Sequence, residues 1–232
     1  MIRLLNQLNY TPPKLKPYKR DGFEVTYNSI DDCFQLSLNG EEWMSYRNKD
    51  HDQAFELYSH YDLAKGHCIC TGLGLGVREN WILNKKEVTK VTVIEKNKEV
   101  IEYHRYINPS FFDNVEVIHS DVHDYEGKCD TLLLDHYEEE CRNEYLLLQN
   151  TSKICEKIEC DTLWFWTLEQ IIARGSNIRS QQVGMYVSNL LVYNELKSRF
   201  DLPLPNLSEE DLSLYYFMYA SKSVSVFKTF FM

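Results

Sequence analysis

The sequence predicts an α/β fold: a doubly wound, mostly parallel sheet preceded by a small β-hairpin region. Three observations predict it. The run HCICTGLGLGV, residues 67–77, reads as a short apolar strand, a glycine-rich turn and the start of a helix-compatible segment. The run VTKVTVIE, residues 88–95, is a β-branched strand closing on an acid. Two further apolar runs, 115–119 and 131–134, lead into Asp121 and Asp135. Strands alternating with helical segments, each strand ending on a polar group, are the pattern of a parallel sheet whose carboxyl edge carries a ligand.

The chain opens with Pro12, Pro13 and Pro17 among Lys14, Lys16, Lys19 and Arg20, which predicts an extended, solvated arm. Residues 23–27 and 33–38 alternate apolar and polar around a turn-rich 28–32, the pattern of a hairpin. Asn39-Gly40 is a second turn signal, after which 41–45 can pair back as a third short strand. A helix is expected over 50–63. It places Glu56 and His60 on one face, and the plain reading of such a spacing is a surface pair. The expected division is an arm and hairpin region, 1–48, followed by a nucleoside-binding domain with a helical C-terminal insertion, 49–232.

Within the glycine turn, Gly72 permits a sharp exit from the strand. Gly74 would let a ligand touch the main chain beside Leu73, and Gly76 would let the next helix, expected over 77–84, start close to the sheet. Glu95 lies about 20 residues beyond the glycines, where a nucleoside-binding fold places the acid for the ribose hydroxyls. A helix over 96–106 leads to the strand 115–119 and the turn Ser120-Asp121, where Asp121 either caps the following turn or faces a ligand. His119, Asp121 and His123 share one face of an extended strand, a spacing that suits a metal. No further ligand group follows from the sequence, and no metal is expected. Asp135 closes the strand 131–134 as a general base, a charge partner for an amine, or a satisfied strand-end acid. Glu138, Glu139 and Glu140 read as the solvated first turn of a helix, or more sharply as a polycation site.

Beyond Tyr137, residues 143–157 look helical and TLWFW, 162–166, reads as a buried fifth strand. Residues 168–200 should form one or two helices broken near Gly175. Pro203 and Pro205 mark a loop, and Ser208 with Asp211 signals the start of a helix through Tyr219. Helix and strand both remain open for LYYFMYA. SVSVFKTFF, 223–231, alternates like a final strand.

The ordered set GLGLG, VTVIE, VIHSD and LLLDHY resembles class I S-adenosylmethionine-dependent methyltransferases, and within them the spermidine-synthase-like branch. The resemblance covers roughly residues 20–137 and implies a Rossmann-like sheet. It implies S-adenosylmethionine, or its decarboxylated form, as cofactor. Gly72, Leu73, Gly74 and Gly76 would hold it, with Glu95 at the ribose, Asp121 at the adenine amino group, the Val122 N–H at a ring nitrogen, and Asp135 beside the reacting group. The Glu56–His60 spacing matches the branch's motif and adds His60 to the cofactor set, although Ala54 stands where the branch has Tyr and His51 where it has Glu. Aminopropyl transfer implies an acid where Leu75 stands, and methyl transfer usually places one at Cys70. The aminomethylase pattern of Asp or Asn, two prolines and an aromatic is absent from Asp135-His136-Tyr137-Glu138.

With 232 residues the chain can bury a full core, and 44% hydrophobic content places it among globular rather than disordered proteins. A net charge of −10 argues against a broad nucleic-acid surface. Seven cysteines, an odd number without a CxxC pair, suit reduced thiols. No apolar run is long enough to span a membrane, and with no signal-peptide core a cytoplasmic location is expected. The expected partner is a nucleoside cofactor, with the acceptor unknown and a homodimer left open. Three functions follow in order: methyl transfer to a small-molecule or protein acceptor, with Asp135 as catalytic residue; aminopropyl transfer; and nucleoside binding without turnover.

Overall fold

The computed structural model describes residues 10–48, 52–136 and 143–230. The expected start of the helix at Asp50 and His51, and the residues Tyr137, Glu138, Glu139, Glu140 and Cys141, lie outside the described residues.

Two sheets form the molecule. The first is antiparallel, in the order β1 (Tyr18–Arg20), β2 (Phe23–Asn28), β3 (Cys33–Leu38), β4 (Glu41–Arg47). The expected hairpin and third strand are present. The end of the expected arm adds a fourth strand, because Asp21-Gly22 makes a tight turn with both residues at positive φ. Asn39 and Gly40 turn in the same way between β3 and β4. Pairing of β3 with β4 shifts register: Leu36 faces Met44 while Ser37 faces Glu42, so Trp43 is an extra residue in β4. Such a bulge bends a strand and re-aims the next side chain.

The second sheet is parallel throughout: β5 (Gly66–Thr71), β6 (Val88–Glu95), β7 (Val115–His119), β8 (Gly127–Leu134) and β9 (Ile158–Phe165), in the order β7-β6-β5-β8-β9. The chain moves one way from β5 to β7, then crosses back to β8 and β9. Right-handed crossovers therefore place helices on both faces and leave a switch point between β5 and β8. The flanking helices are α1 (Asp52–Glu56), α2 (Tyr58–Leu63), α3 (Val77–Ile82), α4 (Lys98–Ile107), α5 (Glu144–Lys157), α6 (Leu168–Val183), α7 (Asn189–Arg199) and α8 (Glu209–Phe230). The helix expected over 50–63 is thus two short pieces meeting at Leu57.

The two sheets share one core. Phe23, Val25, Leu36 and Tyr46 of the first are buried with Ile69, Val93, Leu133 and Trp164 of the second. Tyr103 of α4 packs against Phe23 and Tyr18 with ring centroids 5.6 and 5.5 Å apart, and the Tyr46 and Tyr10 hydroxyls bond at 2.9 Å.

The C-terminal region departs from expectation in two places. The break between α6 and α7 falls at Gly184, which ends α6 at φ 67°, and not near Gly175. At Gly175 a Cβ would stand 3.0 Å from Val192 Cγ1, so this glycine brings α6 and α7 into close packing. Ser208 and Asp211 do form a reciprocal cap: Ser208 Oγ accepts the Asp211 N–H at 3.1 Å and Asp211 Oδ2 accepts the Ser208 N–H at 2.8 Å. The helix then runs through LYYFMYA to Phe230, so of the final strand expected over 223–231 the described residues, 223–230, are helix instead. Extending an established helix adds one bond per residue, whereas a short polar–apolar alternation needs an edge strand to pair with.

Candidate functional site at the carboxyl edge of the parallel sheet

Thr71 ends β5, and the glycine turn follows at the switch point. Gly72, at φ 74°, passes so close to the end of β8 that a Cβ there would fall on the Asp135 carbonyl oxygen. Its N–H donates to Ile94 O at 2.9 Å. The Leu73 N–H donates to Glu95 Oε2 at 2.7 Å. The other carboxylate oxygen of Glu95 accepts the Asn97 N–H at 2.7 Å and Asn97 Nδ2 at 3.3 Å. Burial raises the Glu95 pKa, and these three donors oppose that rise. The turn and the acid at the end of β6 are therefore one hydrogen-bonded unit.

In front of Gly74, where a ligand is expected to touch the main chain, stands Met44 of β4. A Cβ on Gly74 would stand 2.6 Å from Met44 Sδ, and the Leu75 N–H points at the same sulfur at 3.0 Å. On the other side of the turn His104 Nε2 bonds Gly74 O at 2.9 Å. A carbonyl only accepts, so His104 carries its proton on Nε2, and burial lowers its pKa to about 4. At Gly76 the close neighbour is this same His104 rather than the sheet.

At the end of β7, Asp121 caps the short turn Val122–Asp124 by accepting the His123 N–H at 3.0 Å. Its second oxygen pairs with Lys96 Nζ at 3.0 Å. Burial raises its pKa, but the bonds from His123 and Lys96 outweigh that and hold the carboxyl below its ordinary value. Capping is thus shown, while the carboxylate remains partly open and the Val122 N–H carries no hydrogen bond among the described residues. His119 bonds the Lys96 carbonyl at 3.0 Å. Among the described residues no group of three or more His, Cys, Asp or Glu is arranged to hold a metal.

On the far side of the switch point, the Asp135 N–H donates to Thr71 Oγ1 at 3.0 Å, and His136 Nδ1 lies 2.6 Å from the same hydroxyl. Burial raises Asp135 to about 6, with Arg78 pulling down and Glu79 pushing up. Its side chain nevertheless keeps 30% of its surface open.

Arg78 is a residue of this edge that sequence reading did not single out. Its side chain is 3% exposed, in the first turn of α3. It bonds Gly72 O at 2.7 Å, Thr71 O at 3.1 Å and Leu133 O at 3.4 Å, pairs with Glu79 at 2.5 Å, and reaches within 3.9 Å of Asp135 Oδ2. The signal was present as VREN: a charged pair directly behind a glycine turn, in a short helix whose other residues are mostly buried.

Glu56 and His60 are both buried, which removes the surface-pair reading. His60 is 1% exposed, and neither ring nitrogen has a hydrogen-bond partner among the described residues. Burial and then the charge of Arg78 hold it well below its ordinary pKa, so it is neutral. Behind it, Ser59 Oγ and Trp164 Nε1 both donate to Glu169 Oε1, the latter at 3.1 Å.

No family model matches the chain, and no curated protein matches its sequence. Solved structures similar in fold include a spermidine synthase from Thermotoga maritima, 17% identical over 66% of this chain and 56% of that one, with a TM-score of 0.47. The 23S rRNA methyltransferase ErmE is 14% identical over 50% of this chain and 45% of that one, with a TM-score of 0.38. An S-adenosylmethionine-dependent methyltransferase from Clostridium acetobutylicum is 11% identical over 52% of each chain, with a TM-score of 0.36. The chain thus spans about half the length of each of these.

Proposed function

We propose that the carboxyl edge of the parallel sheet binds an adenosyl cofactor of the S-adenosylmethionine type, and that the protein transfers its methyl group to a small-molecule or protein acceptor. The observation that carries this is the bond from the Leu73 N–H to Glu95, which holds an acid and a glycine turn together at the carboxyl edge of the sheet. Glu95 would accept the ribose hydroxyls, Asp121 the adenine amino group, and the Val122 N–H would meet a ring nitrogen. The partly open Asp121 and the open Val122 N–H fit that half of the ligand. Asp135, beside Gly72, would take a proton from the acceptor. His60 would stand behind the turn as a neutral group.

Methyl transfer is favoured over aminopropyl transfer by one position: the fully buried Leu75 stands where aminopropyl transfer implies an acid. A second reading, nucleoside binding without turnover, is favoured by one observation: Met44 lies on the loop where a ligand would touch it.

Calorimetry with S-adenosylmethionine, its decarboxylated form and methylthioadenosine separates these readings, followed by transfer of labelled methyl to an acceptor panel. Binding of S-adenosylmethionine with labelled product supports the proposal. Preference for the decarboxylated form would move it to aminopropyl transfer, binding with no product on any acceptor would favour the second reading, and binding of none of the three would remove the site.

A further inference from the structure

We infer that Met44 is an intramolecular occupant of the cofactor crevice, a thioether that an adenosyl ligand must displace, so that the N-terminal sheet governs access to the site. The inference rests on the reading of this edge as an adenosyl site and adds to it a residue from outside the parallel-sheet domain.

Three independent features place Met44 there. The first is the register of β4. Met44 lies outside the Trp43 bulge in the regular register, opposite the buried Leu36 and two residues from the buried Tyr46, so strand alternation turns it to the core-facing side of β4. That side of β4 is the one on which the glycine turn lies, and the bulge displaces only Glu42 and Glu41. The second is the contact itself. Met44 Sδ lies 3.0 Å from the Leu75 nitrogen and meets the open face of Gly74, where a Cβ would stand 2.6 Å from the sulfur and have to push it aside. The third is the state of the other loop groups. Gly72 N–H is bonded to Ile94 O, Leu73 N–H to Glu95, Gly76 N–H to Leu73 O, and Gly74 O to His104. The thioether answers the Leu75 N–H and covers the face of the turn at Gly74.

A thioether is a weak acceptor, so this contact is a poor replacement for a strong hydrogen bond. It is also unbranched and flexible, with rotatable bonds that let it swing out while β4 stays paired to β3. Both properties suit a displaceable group rather than a structural one. Met44 is only partly buried, unlike its neighbour Tyr46, which is fully buried and tied to Tyr10. The anchor of the sheet and its movable group are thus two residues apart on one strand. A ligand that presses on Gly74 must move Met44, and the free energy of that displacement lowers its apparent affinity.

The test uses the full chain and two variants. Met44→Ala removes the occupant, and Met44→Leu keeps the bulk without the acceptor. In the absence of any nucleoside, amide exchange at Leu75 should speed up in Met44→Ala; unchanged exchange there would overturn the contact. Calorimetry with S-adenosylmethionine should then show Met44→Ala binding about tenfold tighter than the natural chain, with Met44→Leu close to the natural chain. Wild-type binding with no gain, or a loss, in Met44→Ala would overturn the inference and leave the adenosyl site standing. Absence of binding in all three chains would overturn both. Separately, with methyl-labelled methionine, the Met44 methyl resonance should move on saturation with S-adenosylmethionine, and a stationary resonance in a chain that binds would show that the ligand does not displace it.

Discussion

Leu73 and Glu95 are joined across the first two strands of the parallel sheet: the loop N–H donates to the strand-end carboxylate at 2.7 Å. Glu95 therefore has two tasks. It holds the glycine turn against β6, and in the proposed function it accepts the ribose hydroxyls. Glu95→Ala should weaken S-adenosylmethionine binding by at least about tenfold, because a site built to accept hydroxyls loses its acceptor. It should also lower stability by about 1–3 kcal/mol, since the buried Leu73 N–H is left without a partner. Glu95→Gln keeps an acceptor oxygen and should lose less of both. Calorimetry and urea denaturation on the same preparations separate the two effects, and full affinity in Glu95→Ala would take this residue out of the binding site.

Arg78 carries a different kind of dependence. Its guanidinium is buried against Glu79 and three carbonyl oxygens from the ends of β5 and β8 and the turn between them. Arg78→Met should cost about 3–5 kcal/mol, because it strands the Glu79 carboxylate and those carbonyls without a donor. Adding Glu79→Leu should recover part of that loss, since an uncompensated buried charge is the larger penalty. Urea midpoints for the two single variants and the double variant give the coupling. Additive losses would mean that the pair does not act as one unit.

The parts of the site that are legible in the sequence are those set by local chemistry. A glycine turn leaving an apolar strand, and acids closing its neighbours, are short-range features, and Gly72, Glu95, Asp121 and Asp135 all lie on the edge where the pattern places them. Met44 is not legible, because its contact with the glycine turn depends on how one sheet docks on another. Asp21-Gly22 was a readable hairpin signal whose flanking strand, Tyr18–Arg20, is only three residues long and follows a proline-rich arm. Gly175 misled because a glycine inside a helical pattern has two meanings, breaker and close-packing point, and only Val192 across the interface decides between them. SVSVFKTFF misled because alternation over so few residues fits the face of a continuing helix as well as a strand.

Asp135 is the proposed base, raised to about 6 chiefly by burial. A base must be ionised to act, so methyl transfer should rise with pH through about 6 and level off above it. Asp135→Asn should reduce the transfer rate by about 10²-fold or more while leaving the dissociation constant for S-adenosylmethionine within a few-fold. Rates measured on an acceptor found in the panel, from pH 5 to 8, give the limb. A flat profile with an active Asp135→Asn would make this residue a strand-end acid that only accepts the charge of Arg78.

Glu169 sets the stability of the region behind the site. Its carboxyl is buried between Ser59 and Trp164, and burial raises its pKa to about 7, against the pull of both donors. The folded state therefore holds the proton more tightly than the unfolded chain does. The sign follows: the stabilisation is complete below the ordinary carboxyl value, and it is lost as pH rises from there through about 7. The shift corresponds to a loss of about 3 kcal/mol over that window. His104 works in the opposite sense. Burial lowers it to about 4, so its contribution is present above the ordinary histidine value of 6.5 and is lost as pH falls through about 4. Glu169→Gln keeps an oxygen to accept from Ser59 and Trp164 but cannot ionise. Urea denaturation between pH 4 and 8 should show the natural chain losing stability toward neutral pH more steeply than Glu169→Gln, with the acid-side loss unchanged between the two. Parallel curves across the whole range would show that Glu169 shares the same pKa folded and unfolded, and that the Ser59 and Trp164 bonds offset its burial completely.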